Sequence, residues 1–230
     1  MIISLHTPKA GGSSFKRVLK DEFKYSFHTD NKDRPINKSF DTRIKDAENF
    51  RKKFKFIIEP YHKLLRVKCI DGHFLPYKYK HYLDRPDVIF VTWLRDPVER
   101  LASHYHYWFR SYDKKRSSNL HKKVVENNWS LEKFVFSSEM KNFYHQFLYN
   151  FPVDNFDFVG ITEYFEEDLN YFAEKYLNKN INSIPKFNTN PNKIGKYIDD
   201  PKMKNELKEF HHLDYSIYDH ALRKRKNRAE

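Results

Sequence analysis

Ile2-Ile3-Ser4-Leu5-His6-Thr7-Pro8-Lys9-Ala10-Gly11-Gly12-Ser13-Ser14-Phe15 opens the chain and decides its architecture. Ile2 to His6 reads as a short buried strand, and residues 7–14 have the composition of a loop. Phe15, Val18, Leu19 and Phe23 then recur at helical spacing. Strand, glycine-containing loop and helix form the repeating unit of α/β proteins. Backbone N–H groups of such a loop at a helix N-terminus make an anion site, aided by the helix dipole. The glycines let a phosphate approach the backbone, and Ser13 and Ser14 add hydroxyl donors. Lys9 precedes the glycines, so the pattern is not GxxxxGK[ST], which needs its lysine after the last glycine. A plain strand–helix turn with a glycine pair is the competing reading.

Working outward, residues 87–94, Asp-Val-Ile-Phe-Val-Thr-Trp-Leu, are the most apolar run, as a central parallel strand requires. Arg95-Asp96-Pro97 ends it, with Pro97 suited to the first turn of a helix and Asp96 to its N-cap. That helix carries Val98, Leu101, Tyr105 and Trp108 on one face. Open α/β sheets bind ligands beyond the carboxyl ends of their strands, so Arg95 and the first loop are expected on one edge. An arginine fork with the Ser103 hydroxyl suits a phosphate monoester. The alternative is a local ion pair of Arg95 with Asp96 or Glu99. His73 follows Gly72 at the end of a strand near residues 67–70, where an imidazole can remove a proton near neutral pH. Equally, it is one of 12 histidines and can be uninvolved. His104-x-His106 and His211-His212 lack a third ligand at metal-site spacing and read as packing or surface residues.

The remaining pattern predicts strands at 54–58 and 156–161. Helices are expected at 41–53, 130–137, 139–150, 164–177 and 200–228, with loops at 111–123 and 188–193. Alternating strands and helices give a three-layer α/β fold around a mainly parallel sheet. No repeat or linker divides the chain, so residues 1–230 are expected to form a single domain. Hydrophobic residues at 39% and aromatics at 17% exclude a disordered chain. No apolar run approaches the roughly 20 residues of a membrane span, and no signal peptide is visible. The expectation is a soluble, cytoplasmic protein. One cysteine, Cys69, rules out an intrachain disulfide and a cysteine-based zinc site, and it reads as a small buried hydrophobe. Lys and Arg outnumber Asp and Glu by 43 to 31, a net charge of +12. That charge suits nucleic acid, a small polyanion or an acidic polymer, and is equally met in solvated lysine-rich surfaces.

The first loop resembles the H-x-P-K-[TA]-G-G-[TS]-S phosphosulfate loop of sulfotransferases, in particular the heparan sulfate 2-O- and 6-O-type carbohydrate branch and its bacterial relatives. Leu94-Arg95-Asp96-Pro97-Val98-Glu99-Arg100-Leu101-Ala102-Ser103-His104-Tyr105 is similar to that family's R-[DN]-P-x-E-R-x-x-S-x-[YF] motif. Gly72-His73 resembles its G-H segment, and Val159-Gly160-Ile161-Thr162-Glu163 its V-G-x-T-E strand. The matches run in family order from residue 6 to residue 163 and imply a P-loop-like sulfotransferase fold, here in a bacterial or viral-type soluble member.

By this resemblance the donor is 3′-phosphoadenosine 5′-phosphosulfate (PAPS) and the product 3′-phosphoadenosine 5′-phosphate (PAP). Lys9, Ala10, Gly11, Gly12, Ser13 and Ser14 would cradle the phosphosulfate, and Lys9 would also act catalytically on the leaving oxygen. Arg95 and Ser103 would hold the 3′-phosphate, Lys193 would close over the nucleotide, and His73 would be the base. The acceptor would be a hydroxyl on a saccharide or polysaccharide, with its binding elements reduced or built from the basic segments 111–123 and 223–228; the latter could also grip a membrane surface, and more often such a run is a frayed, solvated helix end. No metal and no specific nucleic acid are expected. Two rivals are a magnesium-dependent phosphotransferase with a related core and a basic nucleic-acid-binding module.

Overall fold

A computed structural model describes residues 1–31, 33, 38–181 and 198–229. Five strands form one all-parallel sheet: β1 (Ile2–Leu5), β2 (Phe27–Thr29), β3 (Cys69–Gly72), β4 (Ile89–Leu94) and β5 (Phe158–Ile161). Their order is β2-β3-β1-β4-β5, which puts β1 at the centre. Its Leu5 pairs with Gly72 on one side and Thr92 on the other. Three carboxyl ends therefore meet at the first loop.

Period-2 alternation divides the core between the two faces of the sheet. Ile3, Leu5, Ile70, Phe90 and Leu94 join one cluster, while Ile2, Cys69, Val91, Trp93 and Phe158 join another. The second cluster is covered by α1 (Gly12–Phe23) through Phe15 and Leu19, and by α8 (Phe165–Phe172) through Leu169 and Phe172. The first is covered by α2 (Phe40–Lys53), α4 (Pro97–Arg110), α6 (Leu131–Val135), α7 (Phe143–Phe147) and the C-terminal α9 (Pro201–Phe210) and α10 (His212–Ala229). Helices on both faces make this the expected three-layer α/β fold. Cys69 is buried and free.

Four local expectations are corrected. Residues 54–58 are helical: a wide turn at Phe54–Ile58 joins α2 to α3 (Glu59–Leu64). No breaker stands between Asp41 and Pro60, and Phe54 is buried while Phe56 and Ile57 face solvent, which is not strand alternation. The 111–123 segment is not all loop, because α5 (Asn119–Glu126) starts inside it with Ser118 as N-cap. The helix expected at 139–150 shrinks to a turn at Ser138–Met140 and α7. The long C-terminal helix breaks at His211, whose buried ring bonds Val135 O and Asn142 N–H.

Gly72 shows why β2 lies where it does. A Cβ on Gly72 would sit 1.7 Å from the carbonyl oxygen of Asp30, so the chain leaving β2 crosses β3 at backbone contact. Asp30 and Asp33 then close around the buried Lys78 ammonium at 2.7 and 2.9 Å. Asn31 Oδ1 accepts the His73 N–H at 3.2 Å. The β2 exit thus braces the loop that carries His73.

Candidate functional site

Every feature of the first loop follows from its backbone. Gly11 is the N-cap of α1 at φ +76°, a left-handed conformation that glycine adopts without a Cβ penalty. It offers no side-chain cap, and the first turn of α1 carries no acid, so the helix's own residues do not compensate its positive end. A Cβ on Gly12 would lie 2.2 Å from the His6 ring, so only glycine lets α1 begin against that imidazole. Ala10 and Ser14 are buried, whereas Ser13 is exposed at the mouth of the loop.

Lys9 adopts φ +67°, which costs a non-glycine residue of order 1 kcal/mol. This conformation accompanies a side chain carried to α4, where its ammonium lies 4.2 Å from the centre of the Tyr107 ring. Among the described residues Lys9 has no carboxylate partner. Burial, and then the charges of Arg110 and Arg95, lower its pKa to about 8. Arg110 and Arg95 are thus close enough to Lys9 for their charges to act on it.

On α4 Glu99, Ser103, Tyr107 and Arg110 follow one another at helical spacing and so share a face, from which Tyr107 meets Lys9. Arg95 lies at the end of β4, its guanidinium 3.3 Å from Glu99 Oε2, so the local ion pair considered from sequence does form. The main chain of Arg95 is fixed independently. Its N–H donates to Tyr144 Oη at 2.9 Å, and the Tyr144 hydroxyl donates back to the Arg95 carbonyl at 2.8 Å. Asp96 caps α4 through Glu99 N–H at 3.0 Å, as predicted, and accepts the Tyr215 hydroxyl. Glu163 accepts the Asp96 N–H and the Tyr218 hydroxyl, which locks the end of β4 to α10.

Arg100 belongs to the same motif but serves the interior. It is fully buried, 4.1 Å above the Phe143 ring and 5.5 Å from that of Tyr144. Asp214 is buried near it, with burial raising its pKa to about 6 against the pull of Arg100. The second arginine thus lies over the ring of the tyrosine that holds the main chain of the first.

His73 leaves β3 on the same edge. Its Nδ1 is 2.6 Å from the carbonyl oxygen of His6, so the neutral ring carries its proton on Nδ1 and its lone pair on Nε2. The two imidazoles stack obliquely at 4.5 Å. Beneath them Asp71 accepts Ser4 Oγ–H at 2.9 Å, and its other oxygen lies 3.5 Å from Lys16 Nζ and 3.8 Å from His6 Nδ1. His104 joins from α4: burial drives its pKa well down, reinforced by Arg100, Lys9, His121 and His73 in turn.

The loop 9–14, Arg95 and His73 are therefore brought to one edge of the sheet, and Ser103 lies on α4 one turn before Tyr107, whose ring meets Lys9. Lys193 lies outside the described residues. Tyr107, Arg110 and Tyr144 were missed by sequence reasoning. The first two were findable, since they follow Ser103 by four and seven residues; Tyr144 is 49 residues from Arg95 and carries no local signal. The C-terminal basic run is partly committed elsewhere. Arg225 and Arg228 reach Asp168 at 2.8 and 2.5 Å, and Lys224 reaches Asp154 at 3.2 Å. Among the described residues no group of three or more His, Cys, Asp or Glu could hold a metal ion, and no helix is long and apolar enough to cross a membrane.

No family model matches the chain, and no curated protein matches it. Among solved structures, a sulfotransferase from Alicyclobacillus acidocaldarius is similar at 15% identity and a TM-score of 0.46, over 94% of this chain and 95% of that one.

Proposed function

We propose that the chain transfers a sulfuryl group from PAPS to a hydroxyl, with a saccharide as the acceptor class. The observation that carries this reading is the half-buried Lys9 ammonium, which leads into the glycine-started helix α1, lies against the Tyr107 ring and has its pKa lowered to about 8 by burial first and then by the charges of Arg110 and Arg95. A bound polyanion would offset both the burial of that charge and its cationic neighbours. The motif resemblance at residues 6–15 and 94–105 narrows that polyanion to a 3′,5′-bisphosphate nucleotide.

In this reading the N–H groups at the start of α1 and the Ser13 and Ser14 hydroxyls bind the 5′-phosphosulfate. Arg95 and Ser103 bind the 3′-phosphate, with Glu99 orienting the guanidinium fork until the ligand arrives. The acceptor oxygen attacks sulfur in line, His73 Nε2 takes its proton, and the bond from sulfur to the bridging oxygen breaks. The electron pair passes to the 5′-phosphate of PAP, where Lys9 stabilises the growing charge. No step calls for a metal.

A pH series tests the anion-site assignment. PAP binds the protonated lysine, and its phosphates are already ionised above pH 7 because their second pKa is near 6. Binding should be level from pH 7 to about 8 and then weaken by up to about tenfold per pH unit, following the Lys9 pKa of about 8. Calorimetry between pH 7 and about pH 9.5 reads this directly. Affinity that stays level across the range would remove Lys9 from the site.

A further inference from the structure

The helix from α2 through the wide turn to α3 is apolar on two sides. Phe54, Ile58 and His62, each four residues apart, face the core. Phe56-Ile57, Pro60-Tyr61 and Leu64-Leu65 repeat at the same interval on the opposite side, facing solvent. Phe56 is 82% exposed, Leu64 79%, and Ile57, Tyr61 and Leu65 between 45% and 56%. A surface helix normally keeps that side polar, and a contiguous exposed apolar strip marks a binding surface.

The strip is set among cations. Residues 51–68 hold seven Lys and Arg against one acid, Glu59, and Glu59 is already engaged by Lys63 and Arg85. Arg66 and Lys68 have no ion-pair partner among the described residues. Together with Lys63 they line a cavity of about 570 Å³ that continues from the end of the strip. Met1, Ile2 and Ile89 also line it, so it opens at the amino-terminal edge of the sheet. The candidate site occupies the carboxyl-terminal edge and would face away from anything docked here.

We propose that this strip and its basic rim seat the protein on an anionic phospholipid bilayer. Ile57, Leu64 and Leu65 would enter the headgroup–acyl boundary, the lysine stems would lie along it with their charges outward, and Arg66 and Lys68 would meet lipid phosphates at the mouth of the cavity. Charge complementarity selects this partner. A second copy would set two such cationic strips against each other, and nucleic acid, which could stack on Phe56 and Tyr61, would leave the aliphatic Ile57, Leu64 and Leu65 in water.

The test is flotation of the full chain with vesicles of phosphatidylcholine alone, or mixed with phosphatidylglycerol at about three to one. The chain should float with the mixed vesicles, not with the neutral ones, and less as salt rises. The double variants Leu64→Ser/Leu65→Ser and Arg66→Glu/Lys68→Glu should each reduce partitioning about tenfold or more. Thermal melting followed by circular dichroism should confirm that both still fold, as expected for exposed positions. Lys114→Glu/Lys115→Glu, charges outside the strip, should leave partitioning within about twofold. Failure to float, equal flotation with neutral vesicles, or unchanged partitioning in the strip variants would overturn the proposal. So would a concentration-dependent dimer that Leu64→Ser abolishes, since the strip would then belong to a second copy.

Discussion

Lys9→Met should abolish turnover and yet raise the melting temperature. Methionine keeps the stem and removes the charge. If Lys9 meets the leaving oxygen, its loss costs about 10²–10³ in rate by analogy with removal of one oxyanion donor, and more if donor binding falls with it. Stability moves the other way. The folded pKa of about 8 lies below the ordinary 10.5, so folding opposes the charged form. That penalty is full below about pH 8 and fades between about 8 and 10.5, where the unfolded chain alone still holds the proton. At pH 7 the variant escapes it. Allowing for partial exposure and the lost contact with Tyr107, the gain is about 1 kcal/mol, or about 2–4 °C in a chain of this size. Calorimetry of unfolding together with a transfer assay reads both signs. A variant that loses stability and keeps activity would make Lys9 a packing residue.

His73→Ala should separate turnover from binding. Removing a general base costs about 10²–10⁴ in kcat, while PAP affinity should stay within about twofold because the base does not hold the nucleotide. The bond from Nδ1 to the His6 carbonyl makes His73→Asn the sharper probe. An asparagine amide can place a donor where Nδ1 stands but cannot accept the proton. Steady-state kinetics with saturating donor should find His73→Asn as inactive as His73→Ala. Recovery of turnover in asparagine would mean that His73 only braces the loop.

Much of the architecture was legible because the informative segments carry their signals locally. The Gly11-Gly12 pair, the apolar run before Arg95 and the Asp96-Pro97 start each need only a few residues to be read, and each stands where expected. β2 was not legible: it is a three-residue edge strand whose residues Phe27, His28 and Thr29 are only partly buried, too short and too polar to show alternation. Residues 54–58 misled because two aromatics and two isoleucines resemble a strand, while helix continuation depends on the absence of a breaker over a longer window. At the candidate site, the motif residues carry local signals and their supports do not. Tyr144 reads as one more core aromatic, and only folding reveals that its hydroxyl grips both polar groups of the Arg95 main chain. Arg110 reads as a solvated helix end until Lys9 is placed beside it.

Calorimetric titration of the protein at pH 7 with PAP, beside 5′-AMP, ATP with magnesium and a short single-stranded oligonucleotide, decides whether the anion site takes a nucleotide with two separated phosphates. PAP should bind tightly, with a loss of at least about tenfold on omitting the 3′-phosphate and the same loss in Arg95→Ala. Preference for ATP with magnesium, or for the oligonucleotide, would contradict this and assign the cationic edge to phosphoryl transfer or to nucleic acid.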